Sequence, residues 1–260
     1  MSFLNTVPLV YGMTHGPQRD VVELQFAVPS ECARRVETGA ADVGLVPVVE
    51  KDRQGLTAVP TIGIACRGPV RSILLVSKMP FGRIRTLAGD SNSRTSVELA
   101  RIILARRYGA EPAVLPMAPD LDSMLARADA ALLIGDSALA VEPQELGLAC
   151  LDLGAEWCEM TGLPFVFAMW AGPSGKMTAD LAAVLEALCE YGLSRLDQII
   201  DEESARRPLL RSLIERYLTS HIVCRLGERE LAGSELYLRY ARELDGTALA
   251  AEGLHGESKL

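Results

Sequence analysis

The stretch GDSNSRTSVE, residues 89–98, carries four hydroxyl groups, an amide and a guanidinium immediately ahead of a helical pattern. Apolar residues then recur at helical spacing, and Gly109 occupies the position typical of a C-terminal cap. The T-x-x-E spacing of Thr95 and Glu98 predicts a capping box in which Thr95 is the N-cap residue. We therefore expect a helix to begin at this loop.

The amino-terminal end of such a helix would be a suitable binding site for an anion. Its first backbone N–H groups have no partner within the helix and lie at the positive end of the macrodipole. The side chains that could add hydroxyls and positive charge are Ser93, Arg94, Thr95 and Ser96. A carboxylate or a phosphate is a suitable ligand for this loop. A capped helix without any ligand explains the same pattern, because capping boxes are common.

Composition and charge restrict the class of protein. The chain has 260 residues and is 49% hydrophobic, which is enough for two lobes with apolar cores. Its net charge of −8 disfavours nucleic acid and an acidic membrane surface as partners. The six cysteines form no C-x-x-C pair, and the three histidines lack the spacing of zinc ligands. We therefore expect buried thiols, no metal site and a small molecule as the partner.

The sequence also lacks the usual signals for a nucleotide cofactor and for export. It contains neither a phosphate-loop motif nor a dinucleotide-binding glycine fingerprint, so we expect no cofactor. The first residues include no basic segment followed by a long apolar segment, and no later stretch is long enough to span a membrane. We expect a cytoplasmic protein, either a monomer or a homodimer.

Strand and helix patterns alternate along the first half of the chain. Residues 3–9 and 23–28 are predicted strands, residues 31–38 are a predicted helix, and residues 42–47 form the next predicted strand. This order of elements favours a parallel sheet. After about residue 172 the sequence pattern changes and becomes mainly helical. There, the four-residue spacing of apolar side chains that includes Tyr217 indicates a helix face packed in the core.

Two apolar strands, residues 72–77 and 165–170, bracket a self-contained segment of alternating strands and helices. We predict one lobe from residues 1–73 and 170–260, with the C-terminal helices on it, and a second lobe from residues 74–169. The fold class is then α/β, with two mixed β-sheets flanked by helices and two crossover strands. The ligand would lie in the cleft between the lobes, a common position for small-molecule sites.

Polar residues at strand ends would converge on this cleft. Asn5 offers a donor and an acceptor there, although a turn residue is an equally good interpretation. Ser72 lies at the mouth of a buried strand, where a lone serine is more often structural. Asp136 follows Gly135 in a tight corner, either as an N-cap or as a carboxylate facing the ligand. Thr161 belongs to the loop before the second crossover strand.

Five motifs, in the expected order, resemble the chorismate dehydratases of the futalosine route to menaquinone. They are SFLNTVPL at residues 2–9, GPVRS at 68–72, SRTS at 93–96, IGDSAL at 134–139, and Trp157 with TGLPFVFA at 161–168. The resemblance implies a periplasmic-binding-protein-like type II fold used for catalysis. It leaves two alternatives, which are the sister enzyme that forms 1,4-dihydroxy-6-naphthoate and a non-catalytic small-anion binding protein.

The resemblance also implies a reaction and roles for residues. The family removes the C3 hydrogen and the C4 hydroxyl of chorismate, giving 3-[(1-carboxyvinyl)oxy]benzoate and water. Asn5 and Ser72 match the family's active-site asparagine and serine. Because no histidine or lysine belongs to the motifs, our hypothesis is that the substrate's own enolpyruvyl carboxylate takes the proton. The predicted substrate-binding residues are Ser93, Arg94, Thr95, Ser96, Asp136 and Thr161.

Overall fold

The computed structural model describes residues 3–19, 21–90 and 93–256. Met1 and Ser2 of the first motif, and Ser91 and Asn92 of the loop before the predicted helix, lie outside the described residues. Within the described residues there are nine β-strands, which are β1 Gly44–Pro47, β2 Thr57–Cys66, β3 Ile73–Ser77, β4 Thr86–Asp90, β5 Ala113–Met117, β6 Ala130–Ile134, β7 Ala149–Asp152, β8 Phe165–Gly172 and β9 Val223–Arg225.

The same part of the chain contains eleven α-helices. They are α1 Val7–His15, α2 Pro29–Glu37, α3 Val48–Arg53, α4 Arg94–Tyr108, α5 Leu121–Arg127, α6 Gly135–Leu139, α7 Leu153–Thr161, α8 Ala179–Leu193, α9 Leu196–Arg206, α10 Arg211–Arg216 and α11 Glu228–Gly256. A single π-helical turn, Tyr217–His221, follows α10 directly. The C-terminal helices pack on the sheet that contains β2 and β8, with α8 against β2 and α11 against β8.

The first sheet has the strand order β1-β8-β2-β9, and its three pairings are antiparallel. The parallel pairing expected early in the chain does not form, because β8 lies between β1 and β2. This strand comes from more than 90 residues further along the chain, so local order could not reveal it. The register places Val46 opposite Met169 in the first pair.

The second sheet is mixed and has the order β5-β4-β6-β3-β7. β4 pairs in parallel with β5 and β6, whereas β3 pairs antiparallel with β6 and β7. All five residues of β3 are buried, as the continuous apolar run predicts. The chain passes between the two sheets at residues 67–72 and again at residues 162–164. The prediction of an α/β fold with two sheets flanked by helices is confirmed.

The amino-terminal strand predicted for residues 3–9 is wrong. Leu4–Thr6 forms a 3₁₀ turn that leads into α1, and Pro8 occupies the first turn of that helix. Proline fits there because its fixed φ suits a helix and its missing N–H leaves no intrahelical hydrogen bond unmade. Residues 23–28 are extended but pair with no strand, and Phe26 and Val28 on this segment are exposed.

Candidate functional site

A cavity lies where the two sheets meet, and both contribute to its walls. About 500 Å³ of space inside it is not filled by atoms, and part of this space is open solvent. Its apolar walls include Pro47, Ile64 and Phe167 from the first sheet and Ile73 and Ile134 from the second. The polar side chains that line it are Asn5, Ser72, Ser93, Thr95 and Ser96.

The N-terminus of α4 forms one side of this cavity. Ser93 is extended and is the N-cap residue, and its Oγ accepts a hydrogen bond from the Ser96 backbone N–H at 3.4 Å. It also donates to the Ser96 hydroxyl at 2.9 Å. The prediction of Thr95 as N-cap is wrong, because Ser93, one of several hydroxyls in this loop, takes that position instead. Gly109 is left-handed at the other end of the helix, as predicted.

The displaced cap residue, Thr95, lies in the first turn of α4 with its hydroxyl free for another role. Thr95 Oγ1 is buried and has no hydrogen-bond partner among the described residues. Its backbone carbonyl accepts a hydrogen bond from the Tyr237 hydroxyl at 3.0 Å, which fixes the turn. A buried hydroxyl without a partner costs about 1–3 kcal/mol. This group is therefore available to a polar ligand in the cavity.

Asn5 reaches the cavity from the 3₁₀ turn, and Asn5 Oδ1 is also buried without a partner among the described residues. The Leu4 backbone N–H donates to Asp136 Oδ1 at 3.2 Å, which ties this turn to α6. Gly135 at the start of α6 has φ +58°, and a Cβ there would meet the Phe3 ring at 2.7 Å. A glycine is needed at this position because of both the backbone conformation and the close approach.

Ser72 is the last residue of the first segment that passes between the two sheets, and it is 2% exposed. Its Oγ accepts a hydrogen bond from the Tyr217 hydroxyl at 2.9 Å. The preceding residue, Arg71, has φ +65°, a left-handed conformation that is uncommon for a residue with a side chain. The carboxylate of Asp152 holds it there by accepting the backbone N–H groups of Val70 and Arg71, the latter at 2.6 Å.

The Arg71 side chain supports the same turn from the opposite direction. Its guanidinium donates to the backbone carbonyls of Ala138, at 3.0 Å, and Val141. Strained backbone of this kind persists when the surrounding structure over-determines it, and it often occurs at functional sites. Ser72 therefore enters the cavity from a rigidly held turn.

Three predicted site residues lie outside the lining that the described residues form. The guanidinium of Arg94 binds Glu50 at 2.7 Å, and this arginine side chain is 64% exposed. Thr161 Oγ1 donates to the Trp157 carbonyl at 2.8 Å and accepts the Leu163 N–H at 3.1 Å, so it ends α7. A substrate-binding role for either residue would require movement of the structure.

Asp136 is the third, and it acts behind the cavity wall. Besides the Leu4 N–H, its carboxylate binds the guanidinium of Arg207, which also donates to Glu203 at 2.6 Å. The interpretation of Asp136 as an N-cap is wrong, since Ile134 precedes α6 as its cap residue and makes no side-chain cap hydrogen bond. Asp136 instead fixes the turn that carries Asn5.

The lining of the cavity is electrically neutral among the residues that the structure describes, although acidic and basic groups lie close behind it. Burial acts to raise the pKa of Glu50 behind α4, but hydrogen bonds from Arg53 and Arg94 outweigh it and lower that pKa. Glu50 therefore stays ionised and paired. What remains for a ligand is a set of hydroxyls, one amide and a helix N-terminus, which can bind anions and orient oxygen atoms.

Two contributors to the site were not predicted. Tyr217 has the core-facing burial that its spacing indicates, but its hydroxyl contact with Ser72 spans 145 residues of sequence. Arg207 reaches Asp136 over 71 residues. No local signal marks such long-range partners. The described residues contain no cluster of three or more His, Cys, Asp or Glu side chains that could hold a metal ion.

Comparison with solved structures identifies the class to which this fold belongs. The chain is similar to the periplasmic aliphatic sulphonate binding protein SsuA from Escherichia coli, with a TM-score of 0.66 and 15% identity over 95% of this chain and 85% of that one. A protein from Archaeoglobus fulgidus gives a TM-score of 0.70 at 17% identity over 94% and 95% of the two chains. The fold is therefore that of the periplasmic-binding-protein class.

The sequence comparisons are more specific than the fold. A family model described as menaquinone biosynthesis matches residues 1–243. A chorismate dehydratase from Thermus thermophilus is 31% identical over 213 residues, which cover 74% of this chain and 77% of that protein. The chain belongs to the menaquinone biosynthesis family. No helix among the described residues has both the length and the apolar character needed to cross a bilayer.

Proposed function

We propose that this protein dehydrates chorismate to 3-[(1-carboxyvinyl)oxy]benzoate in menaquinone biosynthesis. The observation that carries the proposal is the neutral cavity beside the N-terminus of α4. There, the buried side-chain oxygens of Asn5 and Thr95 have no hydrogen-bond partner within the part of the chain that the structure describes. A dicarboxylate with a hydroxyl group could satisfy these groups. The similarity to the Thermus thermophilus chorismate dehydratase supports the same substrate.

The N-terminus of α4 would hold one of the two carboxylates of chorismate. Ser93, Thr95 and Ser96 bring their hydroxyls to the first turn of this helix, and the macrodipole favours negative charge there. Arg94 would add only a distant charge, because its guanidinium is bound to Glu50. Binding thus depends on oriented neutral groups, which need little reorganisation during the reaction.

The proton at C3 needs a base, and no titratable side chain of the described residues lines the cavity. The enolpyruvyl carboxylate of the substrate takes this proton, and the C3–H electron pair forms the new ring double bond. The C4–O bond breaks with its electron pair on oxygen. The departing hydroxide receives the proton that the enolpyruvyl carboxylate took from C3, so that water leaves and the carboxylate is regenerated. Asn5 and Ser72 orient the substrate and hydrogen-bond to the departing oxygen, so catalysis comes from positioning and electrostatics.

The direct test mixes the purified protein with chorismate, without added metal or cofactor, and follows products by liquid chromatography and mass spectrometry. We expect loss of one water and the appearance of an aromatic enolpyruvyl ether. A folded protein that returns chorismate unchanged would contradict the proposal. The cyclic futalosine derivative is then the next substrate to test, and ligand binding without turnover would indicate a binding protein.

The pH dependence gives a second test. Because the lining formed by the described residues contains no acidic or basic side chain, we expect kcat/KM to be flat between about pH 6 and pH 9. Burial raises the pKa of the Tyr217 phenol above its ordinary value of about 10. The phenol therefore stays protonated throughout this pH range and does not make kcat/KM depend on pH. If kcat/KM for chorismate instead changed with an apparent pKa near 6.5, the profile would indicate a histidine base.

Replacement of Thr95 by valine should separate binding from stability. The change keeps the shape of the side chain but removes a buried hydroxyl that has no partner among the residues described. We therefore expect the free energy of unfolding to rise by about 1 kcal/mol. We also expect KM for chorismate to rise about 10-fold, because a ligand hydrogen bond is lost. Thermal unfolding and steady-state kinetics measure the two effects, and an unchanged KM would exclude Thr95 from substrate binding.

We also propose that the chain forms two lobes with the boundaries predicted from the sequence. The strands of the second sheet lie within residues 73–152, and those of the first sheet lie outside that range, which supports lobes of residues 1–73 with 170–260 and residues 74–169. We propose that chorismate binds between them in a cytoplasmic monomer or homodimer. Light scattering during gel filtration distinguishes the two states.

A further inference from the structure

Tyr217 is fully buried and donates its hydroxyl hydrogen to Ser72 Oγ over 2.9 Å. Burial raises the pKa of this phenol above its ordinary value, with Ser72 and Asn5 acting in the opposite direction. The phenol therefore remains a hydrogen-bond donor at physiological pH. It contacts the candidate catalytic serine, which lines the cavity, whereas Tyr217 itself is not part of the described lining.

The backbone around Tyr217 is unusual. Tyr217–His221 forms a π-helical turn at the end of α10, a conformation that is rare and is often found at functional sites. The two ends of this turn contact the same segment of chain. Tyr217 binds the Ser72 hydroxyl, and His221 Nδ1 lies 2.8 Å from the Pro69 carbonyl oxygen. The π turn thus supports the strained turn that ends at Ser72.

The hydrogen-bond inventory of a serine shows what this contact does. A serine hydroxyl has one hydrogen to donate and two lone pairs that accept. Tyr217 occupies one lone pair of Ser72, so the single Ser72 hydrogen is not used by this contact. Donors in a chain polarise one another, so accepting from Tyr217 makes Ser72 a stronger donor.

We propose that Tyr217 is a positioning residue, which fixes the Ser72 hydroxyl so that its hydrogen points into the cavity toward the departing C4 oxygen of the substrate. This inference rests on the proposed dehydratase function. Tyr217 does not touch the substrate and transfers no proton. Its effect is on the orientation and donor strength of Ser72, so it acts on the chemical step and not on substrate binding.

The test compares the wild-type protein with Tyr217→Phe, Ser72→Ala and the double variant. For Tyr217→Phe we expect kcat to fall about 10-fold to 100-fold, as for a misplaced catalytic group, with KM within about threefold of wild type. The double variant should be little slower than Ser72→Ala, because the Ser72 contact is already absent there and only the Asn5 contact of Tyr217 remains to be lost. Multiplicative losses in the double variant, or an unaffected kcat in Tyr217→Phe, would overturn the inference.

Tyr11→Phe is the matched control. Tyr11 is also buried, and its hydroxyl donates to Glu202 Oε1 at 2.8 Å, away from the cavity lining. A purely structural role of the Tyr217 hydroxyl predicts similar losses of thermal stability in both variants and no selective loss of kcat. A folded wild type that leaves chorismate unchanged would overturn both the function and this inference, whereas an active wild type with an unaffected Tyr217→Phe overturns only the inference.

Site-specific 3-fluorotyrosine at position 217 tests the inference even if Tyr217→Phe does not fold. The fluorine preserves the size of the ring closely and makes the phenol a stronger hydrogen-bond donor. We expect kcat to rise at constant KM, because a stronger donor strengthens the next donor in the chain. The same substitution at position 11 should change neither constant. An unchanged kcat at position 217 would contradict the proposed role.

Discussion

Ser72→Ala is expected to lower kcat for chorismate by about 10²–10³-fold, the loss typical of removing one preorganised donor from a developing negative charge. The serine hydroxyl is held by its hydrogen bond with Tyr217, and the serine directly follows the strained backbone of Arg71. Alanine fits the buried position without a clash, so the fold should persist. Single-turnover kinetics and circular dichroism measure the two effects.

Ser77→Ala is a closely matched control for this prediction. Ser77 is the last residue of β3, the strand that begins directly after Ser72. It is 1% exposed and donates its hydroxyl to the Met79 carbonyl at 2.8 Å. Both variants lose a buried serine hydroxyl and a hydrogen bond of ordinary length. We expect Ser77→Ala to lose stability but keep kcat. If the two variants have equal turnover, Ser72 has no special role in the reaction.

The turn before Ser72 explains why one serine can have so large an expected effect. Asp152 binds two consecutive backbone N–H groups of this turn and also caps α7 by accepting the Ala155 N–H at 3.0 Å. One carboxylate thus joins the crossing between the sheets to a helix of the second sheet. A hydroxyl placed on such a rigid support loses little freedom when the substrate binds, which favours catalysis by orientation.

Local patterns predicted much of this fold. The continuous apolar runs at β3 and β8, the helix after residue 93 and its end at Gly109 all depend on short-range physics, and the structure confirms them. Proline and competing hydroxyls were misinterpreted because each fits more than one local structure. Pro8 is as suited to the first turn of α1 as to the end of a strand.

The sequence indicated residues that line the cavity but not the residues that support them from behind. Asn5, Ser72 and the start of α4 come together in one cavity. Ser72 directly precedes a strand, whereas Asn5 and Ser93 lie where a helix begins, and the sequence shows that such polar residues flank regular elements. Their supporting partners, Tyr217 and Arg207, come from helices far along the chain. Their spacing reveals that they face the core, but which polar group they meet there depends on tertiary packing.

Asn5→Asp should have the second large effect, and its pH dependence distinguishes charge from shape. The change replaces an amide by a group of nearly equal size in a cavity whose described lining carries no charge. At neutral pH we expect kcat/KM to fall at least about 100-fold, mainly through KM, because like charges in such a site cost several kcal/mol. Equilibrium binding of chorismate should weaken in parallel.

Burial disfavours the ionised form of a carboxyl, so the pKa of the new aspartate should lie above its ordinary value of about 3.9. The neutral acid, present below that raised pKa, resembles the amide that it replaces. Activity of Asn5→Asp should therefore recover as the pH falls toward 5, whereas the wild-type profile stays flat. Gln18→Glu is the control, since Gln18 also has a buried side-chain oxygen without a partner among the described residues, outside the cavity lining. Equal pH profiles for Asn5→Asp and wild type would mean that Asn5 does not face the charge of the substrate.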